Sequence, residues 1–285
     1  MSIEDSLFHT KKTLNLKGNL VSLEVPAVMG ILNVTPDSFY QPSRINREKE
    51  LLTKAEQMLT EGATLLDIGG YSSRPGSTEV SVEDELSRVI PAIQAILKVF
   101  PEAYLSIDTF RARVAKAAFD AGACMINDIS GGSLDEAMFD TVGDLDIPYI
   151  LMHMKGSPHN MTEKTSYTNL IKDIVLYFSE KCHQLQEKGV KDIIIDPGFG
   201  FAKTADQNYE LLRNLGYFKA LRLPILAGVS RKSMIYRKLE ISPEEALNGT
   251  TALHIMALIN GSSLLRVHDV KEAVEAVKLF KLTYP

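Results

Sequence analysis

Between Ala27 and Phe280 the chain repeats one local unit eight times: a short apolar run, a polar or glycine-bearing turn, then a segment with helical periodicity. The runs are AVMGILN (27–33), TLLDIGG (64–70), YLSID (104–108), CMIND (124–128), PYILMHM (148–154), IIID (193–196), PILAGV (224–229) and SLLRV (263–267). Ile193, Ile194 and Ile195 are three consecutive β-branched residues without alternation, the pattern of a strand buried on both faces of a parallel sheet. Helical segments follow at about 47–59, 82–100, 111–122, 134–142, 169–187, 206–215, in two pieces across 230–260, and at 271–280. An open doubly wound sheet and a closed (β/α)8 barrel both accept this alternation, and eight units in roughly 260 residues fit the barrel better. The expected fold is therefore α/β, a single-domain TIM barrel over residues 1–285. TLNLKGNLVSLEV (13–25) alternates apolar and polar residues around Lys17-Gly18-Asn19, which predicts a short N-terminal hairpin covering one end of the core.

In a barrel all eight strand ends meet on one face, where enzymes of this architecture carry their chemistry. The residues gathered there are Asn33, Asp67, Asp108, Asn127, His153, Asp196, Ser230-Arg231-Lys232, and Arg266 with His268. Side-chain alternation turns Arg266 and His268 the same way if the extended backbone continues past Val267, giving a cationic edge. Ser230, read as the start of a helix beside Arg231 and Lys232, is a candidate anion site. Acids and amides opposite Arg, Lys and His suit a polar heterocycle carrying a phosphate-type tail. His153 reads equally as a satisfied structural histidine or as a ligand contact, and His254, inside an apolar helical pattern, as a core or interface residue. Thr109 is expected to cap the helix after YLSID, and Asp269 the last helix, with Glu272 as capping-box partner.

The net charge of −5 gives no broad footprint for nucleic acid or an anionic membrane. Only two cysteines occur, Cys124 and Cys182, without metal or redox spacing. With no basic region preceding an apolar run and no membrane-length apolar stretch, the reading is a cytoplasmic protein.

The strand-end motifs resemble those of the dihydropteroate synthases of folate biosynthesis, in that family's order and across about 28–277. They are ILNVTPDSF (31–39), DIGG followed by SSRPG (67–76), SIDT (106–109), INDISGG (126–132), LMHMKG (151–156), DPGFGF (196–201), GVSRKS (228–233) and RVHDV (266–270). The resemblance implies a pterin-binding TIM barrel condensing 6-hydroxymethyl-7,8-dihydropterin diphosphate with 4-aminobenzoate, using Mg2+ and forming a homodimer. Asp108, Asn127, Asp196 and Lys232 would hold the pterin ring, with Met152, Met154 or Phe201 covering its faces. Ser73, Arg74, Arg266 and His268 would contact the diphosphate, and Asn33 the metal. The loops holding Thr35, Asp37 and Ser72 to Gly76 would close over the site. Three positions depart from the family pattern: Tyr71 replaces an acid, Ser73 a threonine, and Ala202 a frequent glycine, the last expected to matter little. The first loop, SFYQPSRIN, also lacks the usual glycines. The alternatives are a pterin-dependent methyltransferase, which needs no diphosphate contacts, and a non-catalytic pterin-binding homologue.

Overall fold

The computed structural model of the chain describes residues 11–34, 44–71 and 80–284. Two short strands come first, β1 (Thr13–Leu16) and β2 (Asn19–Ser22), paired antiparallel. Lys17 and Gly18 between them both have positive φ, 52° and 80°. That is the two-residue turn whose twist matches a hairpin.

Eight parallel strands follow: β3 (Ala27–Asn33), β4 (Leu65–Gly69), β5 (Leu105–Asp108), β6 (Met125–Asp128), β7 (Tyr149–Met152), β8 (Ile193–Asp196), β9 (Leu226–Ala227) and β10 (Leu264–Val267). Their order is β8-β7-β6-β5-β4-β3-β10-β9. A parallel bridge between Ile195 and Ile225, with the Ile195 N–H donating to the Pro224 carbonyl at 3.0 Å, joins the two ends into a barrel. The helices are α1 (Arg44–Thr60), α2 (Val82–Val99), α3 (Ala112–Asp120), α4 (Met138–Leu145), α5 (Leu170–Glu187), α6 (Ala205–Arg213), α7 (Ser233–Leu239), α8 (Leu247–Ile259) and α9 (Val270–Thr283).

The two-residue side-chain period sorts every strand into two faces. Outward residues such as Leu66, Ile107, Ile126, Leu151, Ile195 and Leu265 join the helices in one large core. Inward residues Met29, Leu65, Met125, Ile150, Ile194, Leu226 and Leu264 form a second core, which the hairpin's Leu14 and Leu16 seal. The hairpin thus plugs the barrel at the strands' N-terminal ends. Two residues beyond that plug, on the same inward face, come Asp67, Asn127, Met152, Asp196 and Arg266. Strand pairing levels them: Asp108 is paired with Asn127 and Met152 with Asp196.

Several expected boundaries and caps are corrected. The strand around PILAGV is only Leu226–Ala227, and α4 begins at Met138, four residues later than the pattern predicts. Thr109 does not cap α3: its hydroxyl accepts the Arg111 N–H, and the Asp135 carboxylate accepts the Ala112 N–H at 2.7 Å. Asp269 precedes α9 without a side-chain cap, because Arg231 holds its carboxylate through Nε at 2.9 Å and a terminal nitrogen at 2.7 Å. An ion pair with two charge-assisted hydrogen bonds outcompetes a helix cap for the same oxygens.

Candidate active site

Arg266 is the hub of the inward-facing group. From β10 its Nε donates to Asp67 Oδ2 of β4 and a terminal nitrogen donates to Asp108 Oδ2 of β5, both at 2.6 Å. Asn127 of β6 donates to the same Asp67 oxygen at 2.8 Å. Asp67 is fully buried, while the side chains of Arg266 and Asp108 are 21% and 18% exposed, so the network opens toward the mouth. Burial works against the Arg266 charge, but Asp67 and Asp108 outweigh it and hold the guanidinium firmly protonated. Burial likewise raises the Asp108 carboxyl, opposed by Arg266 and reinforced by Asp67 and Glu85. Two carboxylates sharing one guanidinium are poised for a ligand that supplies further donors.

The turn after β8 forms the opposite wall. Asp196 is 6% exposed and accepts the Gly198 N–H at 2.8 Å. Burial raises its carboxyl, with Lys232 the main opposing charge. Gly198 and Gly200 have φ of 73° and 81°, and a Cβ on Gly198 would lie 2.1 Å from the His153 carbonyl oxygen, so this close approach requires glycine. Lys232 reaches the turn from the start of α7. Its Nζ donates to the Phe199 carbonyl and lies 4.5 Å from the Phe201 ring centroid. Burial lowers the Lys232 amine to about 8 against the pull of Asp196. Met152, Met154, Ile129 and Phe201 share an apolar cluster beside these polar groups.

The structure brings together Asp108, Asn127, Asp196, Lys232 and Arg266, with Met152 and Phe201 as apolar neighbours. Asn33 ends β3 opposite Gly69, where a Cβ would lie 3.2 Å from Asn33 Oδ1 and 3.8 Å from Asp108 Oδ2. The amide and the carboxylate therefore flank one gap. Thr35, Asp37, Ser73 and Arg74 lie outside the described residues.

Three expectations change. The regular strand stops at Val267, so the extended backbone expected to carry Arg266 and His268 onto one edge does not continue. Arg266 turns inward to the acids, whereas His268 is exposed and its Nδ1 lies 3.0 Å from Ser230 Oγ. Ser230 does not start a helix either, since α7 begins at Ser233. Arg231 leaves the anion site for Asp269. His153 is a structural histidine: it is 3% exposed, and its Nδ1 accepts from Lys203 Nζ at 3.1 Å. Tyr71, at the family's acidic position, meets Phe110 edge-on at 5.1 Å and has the Arg111 guanidinium 5.6 Å from its ring centroid. Arg111 already has Glu85 as carboxylate partner at 2.6 Å, so it does not require an acid at position 71.

Ala202 matters more than its small size suggests. Its φ is +49°, a left-handed conformation that costs an alanine roughly 1–2 kcal/mol relative to glycine. Ala202→Gly is expected to stabilise the fold by about 1 kcal/mol after the extra unfolded-state freedom of glycine is offset, measured as a raised urea midpoint.

Buried histidines set the acid limb of stability. Burial lowers His153 to about 2 and His254 to about 4. Below the unfolded imidazole value of about 6.5 the unfolded chain binds protons that the folded chain refuses. Their contribution is therefore full above that pH and declines as pH falls toward the two folded values. His254 Nε2 is buried without a hydrogen-bond partner. His254→Leu should accordingly flatten the fall in urea midpoint between pH 7 and 5, and an unchanged slope would contradict this assignment.

Comparison with known proteins covers nearly the whole chain. The family described as pterin binding enzyme matches residues 29–268. Dihydropteroate synthase of Escherichia coli strain K12 is 41% identical over 269 residues, spanning 94% of this chain and 95% of that protein. Among solved structures, Yersinia pestis dihydropteroate synthase in a sulfonamide drug complex superposes with a TM-score of 0.89 at 40% identity, over 95% of this chain and 99% of that one. Xanthomonas albilineans dihydropteroate synthase in complex with 7,8-dihydropteroate gives 0.85 at 36% identity, over 95% and 98%.

Proposed function

The chain belongs to the dihydropteroate synthase family, transferases of folate biosynthesis, and from that membership we propose how its own strand ends perform the condensation. The reaction joins 6-hydroxymethyl-7,8-dihydropterin diphosphate to 4-aminobenzoate, giving 7,8-dihydropteroate and diphosphate. One observation carries the assignment of residues: Asp108, Asn127, Asp196 and Lys232 converge with Arg266 on the inward face, one step above a sealed apolar plug.

Asp196 and Asp108 accept the pterin's amino and ring N–H donors, and Asn127 and Lys232 serve its acceptor edge. Met152 and Phe201 cover its faces. Lys232 leaves the Phe199 carbonyl to do so. As the ring engages Asp108, the terminal nitrogen of Arg266 is released toward the diphosphate, while Nε stays on Asp67. His268, Ser73 and Arg74 complete the anion contacts. The bond between the methylene carbon and the diphosphate oxygen breaks with its electron pair going to diphosphate. The electron-rich pterin stabilises the cationic methylene, and the neutral arylamine attacks it, losing one proton. Thr35 and Asp37, on the first loop, help position the amine and exclude water.

Mg2+ fits the donor chemistry near Asn33, whose amide oxygen and the Asp108 carboxylate are hard oxygen donors flanking the gap at Gly69. No cluster of three or more His, Cys, Asp or Glu residues suited to a metal occurs among the described residues, which suits an ion held largely by diphosphate and water. When bound there, Mg2+ neutralises charge on the departing diphosphate.

The homodimer is supported by Met256 and Ile259 of α8 and Leu279 and Leu282 of α9, all exposed apolar side chains on the last two helices. No helix among the described residues is long and apolar enough to cross a membrane, and both cysteines are free and buried, which supports a reducing, cytoplasmic setting.

The test is diphosphate release by the purified chain with pterin diphosphate and Mg2+, with and without 4-aminobenzoate. Amine-dependent release with dihydropteroate as product is expected. Pterin binding without release would transfer the reading to a non-catalytic binder.

A further inference from the structure

Lys203 is a buried amine that the reaction above does not use. It is 8% exposed and reaches the turn after β8. Its Nζ donates to the carbonyls of Gly198 and Phe201, each at 3.0 Å, and to His153 Nδ1 at 3.1 Å. Lysine is the side chain that offers three donors on one atom, and these three acceptors meet them here, with the His153 carbonyl a longer fourth contact at 3.5 Å. His153 stays neutral in this setting, so its ring can accept.

The backbone of the turn is otherwise held by few groups. The Gly198 N–H goes to Asp196, the Gly200 N–H goes to Asn208 Oδ1 at 2.7 Å, and the Phe199 carbonyl depends on Lys232. When Lys232 transfers to the pterin, the Phe199 carbonyl loses its lysine. The Phe201 carbonyl keeps Lys203, and the Gly198 carbonyl keeps Lys203 together with the Phe201 N–H at 3.1 Å.

We propose that Lys203 is a positioning residue for pterin binding, which rests on the dihydropteroate synthase reading: it holds the Gly198 and Phe201 carbonyls and the His153 ring so that Asp196 and the Phe201 ring keep their places while Lys232 moves to substrate. Burial lowers the Lys203 amine to about 7, opposed by Asp196 and reinforced by Lys232 and Lys155. The Asp196 carboxylate thus favours the charged form, the one that supplies all three donors to the cluster.

Lys203→Met, in the full chain, is expected to weaken binding of 6-hydroxymethylpterin by about tenfold or more in calorimetry, as two buried carbonyls lose a charged donor. KM for the pterin diphosphate should rise by a similar factor, with KM for 4-aminobenzoate within about twofold of the unmodified chain. Lys203→Gln, which keeps one amide donor, should fall between the two and serves if the methionine variant does not fold. In the unmodified chain, exchange of the Gly198 and Gly200 amides should stay slow both free and with pterin bound. Unchanged pterin affinity in the variants, equal rises in both KM values, or fast amide exchange once pterin is bound would each overturn the proposal. Turnover by the unmodified chain tests the parent reading separately, because the pterin-affinity comparison needs no catalysis.

Discussion

Arg266→Met is expected to lower kcat by about 10²–10³ and to destabilise the fold at the same time. Removing a preorganised cationic donor from a departing anion typically costs about 10²–10³ in kcat. Here the same change strands Asp67, which is fully buried, and Asp108 without their shared cation. Breaking a buried pair by deleting one partner costs about 3–5 kcal/mol, because a charge is left uncompensated. The pH dependence has a definite sign. With the folded Asp108 carboxyl raised by burial above the unfolded carboxylate value, that acid binds more protons in the folded chain, so the stability deficit of Arg266→Met grows with rising pH and shrinks toward pH 5. Urea unfolding at pH 5 and 8 reads this directly. Adding Asp67→Asn should recover part of the lost stability without recovering turnover, and a deficit that is the same at both pH values would contradict the buried-pair explanation.

Asp196→Asn is expected to separate binding from stability. The pterin donors lose a carboxylate and meet an amide N–H₂ in its place, at a cost of about 2–3 kcal/mol, or about 30- to 150-fold in Kd. The fold should be as stable as before or slightly more so at neutral pH. Burial raises the Asp196 carboxyl, so its charge opposes folding there, whereas an asparagine oxygen can still accept the Gly198 N–H. Calorimetry with a pterin and a urea titration give the two numbers. An unchanged affinity would remove Asp196 from the pterin site.

The barrel was legible because its signal is repeated and local. Every strand ends in a turn, and the two-residue period carries Leu65 to Asp67, Met125 to Asn127, Ile194 to Asp196 and Leu264 to Arg266 onto one face. The hairpin was legible from Lys17-Gly18-Asn19, and its covering role from the alternation of apolar and polar residues that buries Leu14 and Leu16. What local pattern does not reveal is which partner wins a polar group. Asp269 has the position of a helix cap, yet its carboxylate goes to Arg231, 38 residues earlier. Thr109 has a capping hydroxyl, yet Asp135 supplies the acceptor for α3. Arg266 and Asp67 are 199 residues apart, and only closure of the barrel makes them neighbours. Asp67 was visible as a strand-end acid, but its role in holding both Arg266 and Asn127 depends on that closure. Lys203 carried no signal beyond lying near DPGFGF, because its role comes from three acceptors assembled by two different strands. The left-handed backbone at Ala202 is invisible in sequence, which does not report φ.

The most direct measurement is a crystal structure of the chain with 6-hydroxymethylpterin bound. The pterin is expected above the Met29–Leu264 plug, with Asp196 on its ring donors, Lys232 moved from the Phe199 carbonyl to the pterin, and the turn at Gly198 unchanged. A pterin bound elsewhere, or one bound at this face with Lys232 still on Phe199 and Asp196 out of contact, would contradict the assignment of the strand ends as the pterin pocket.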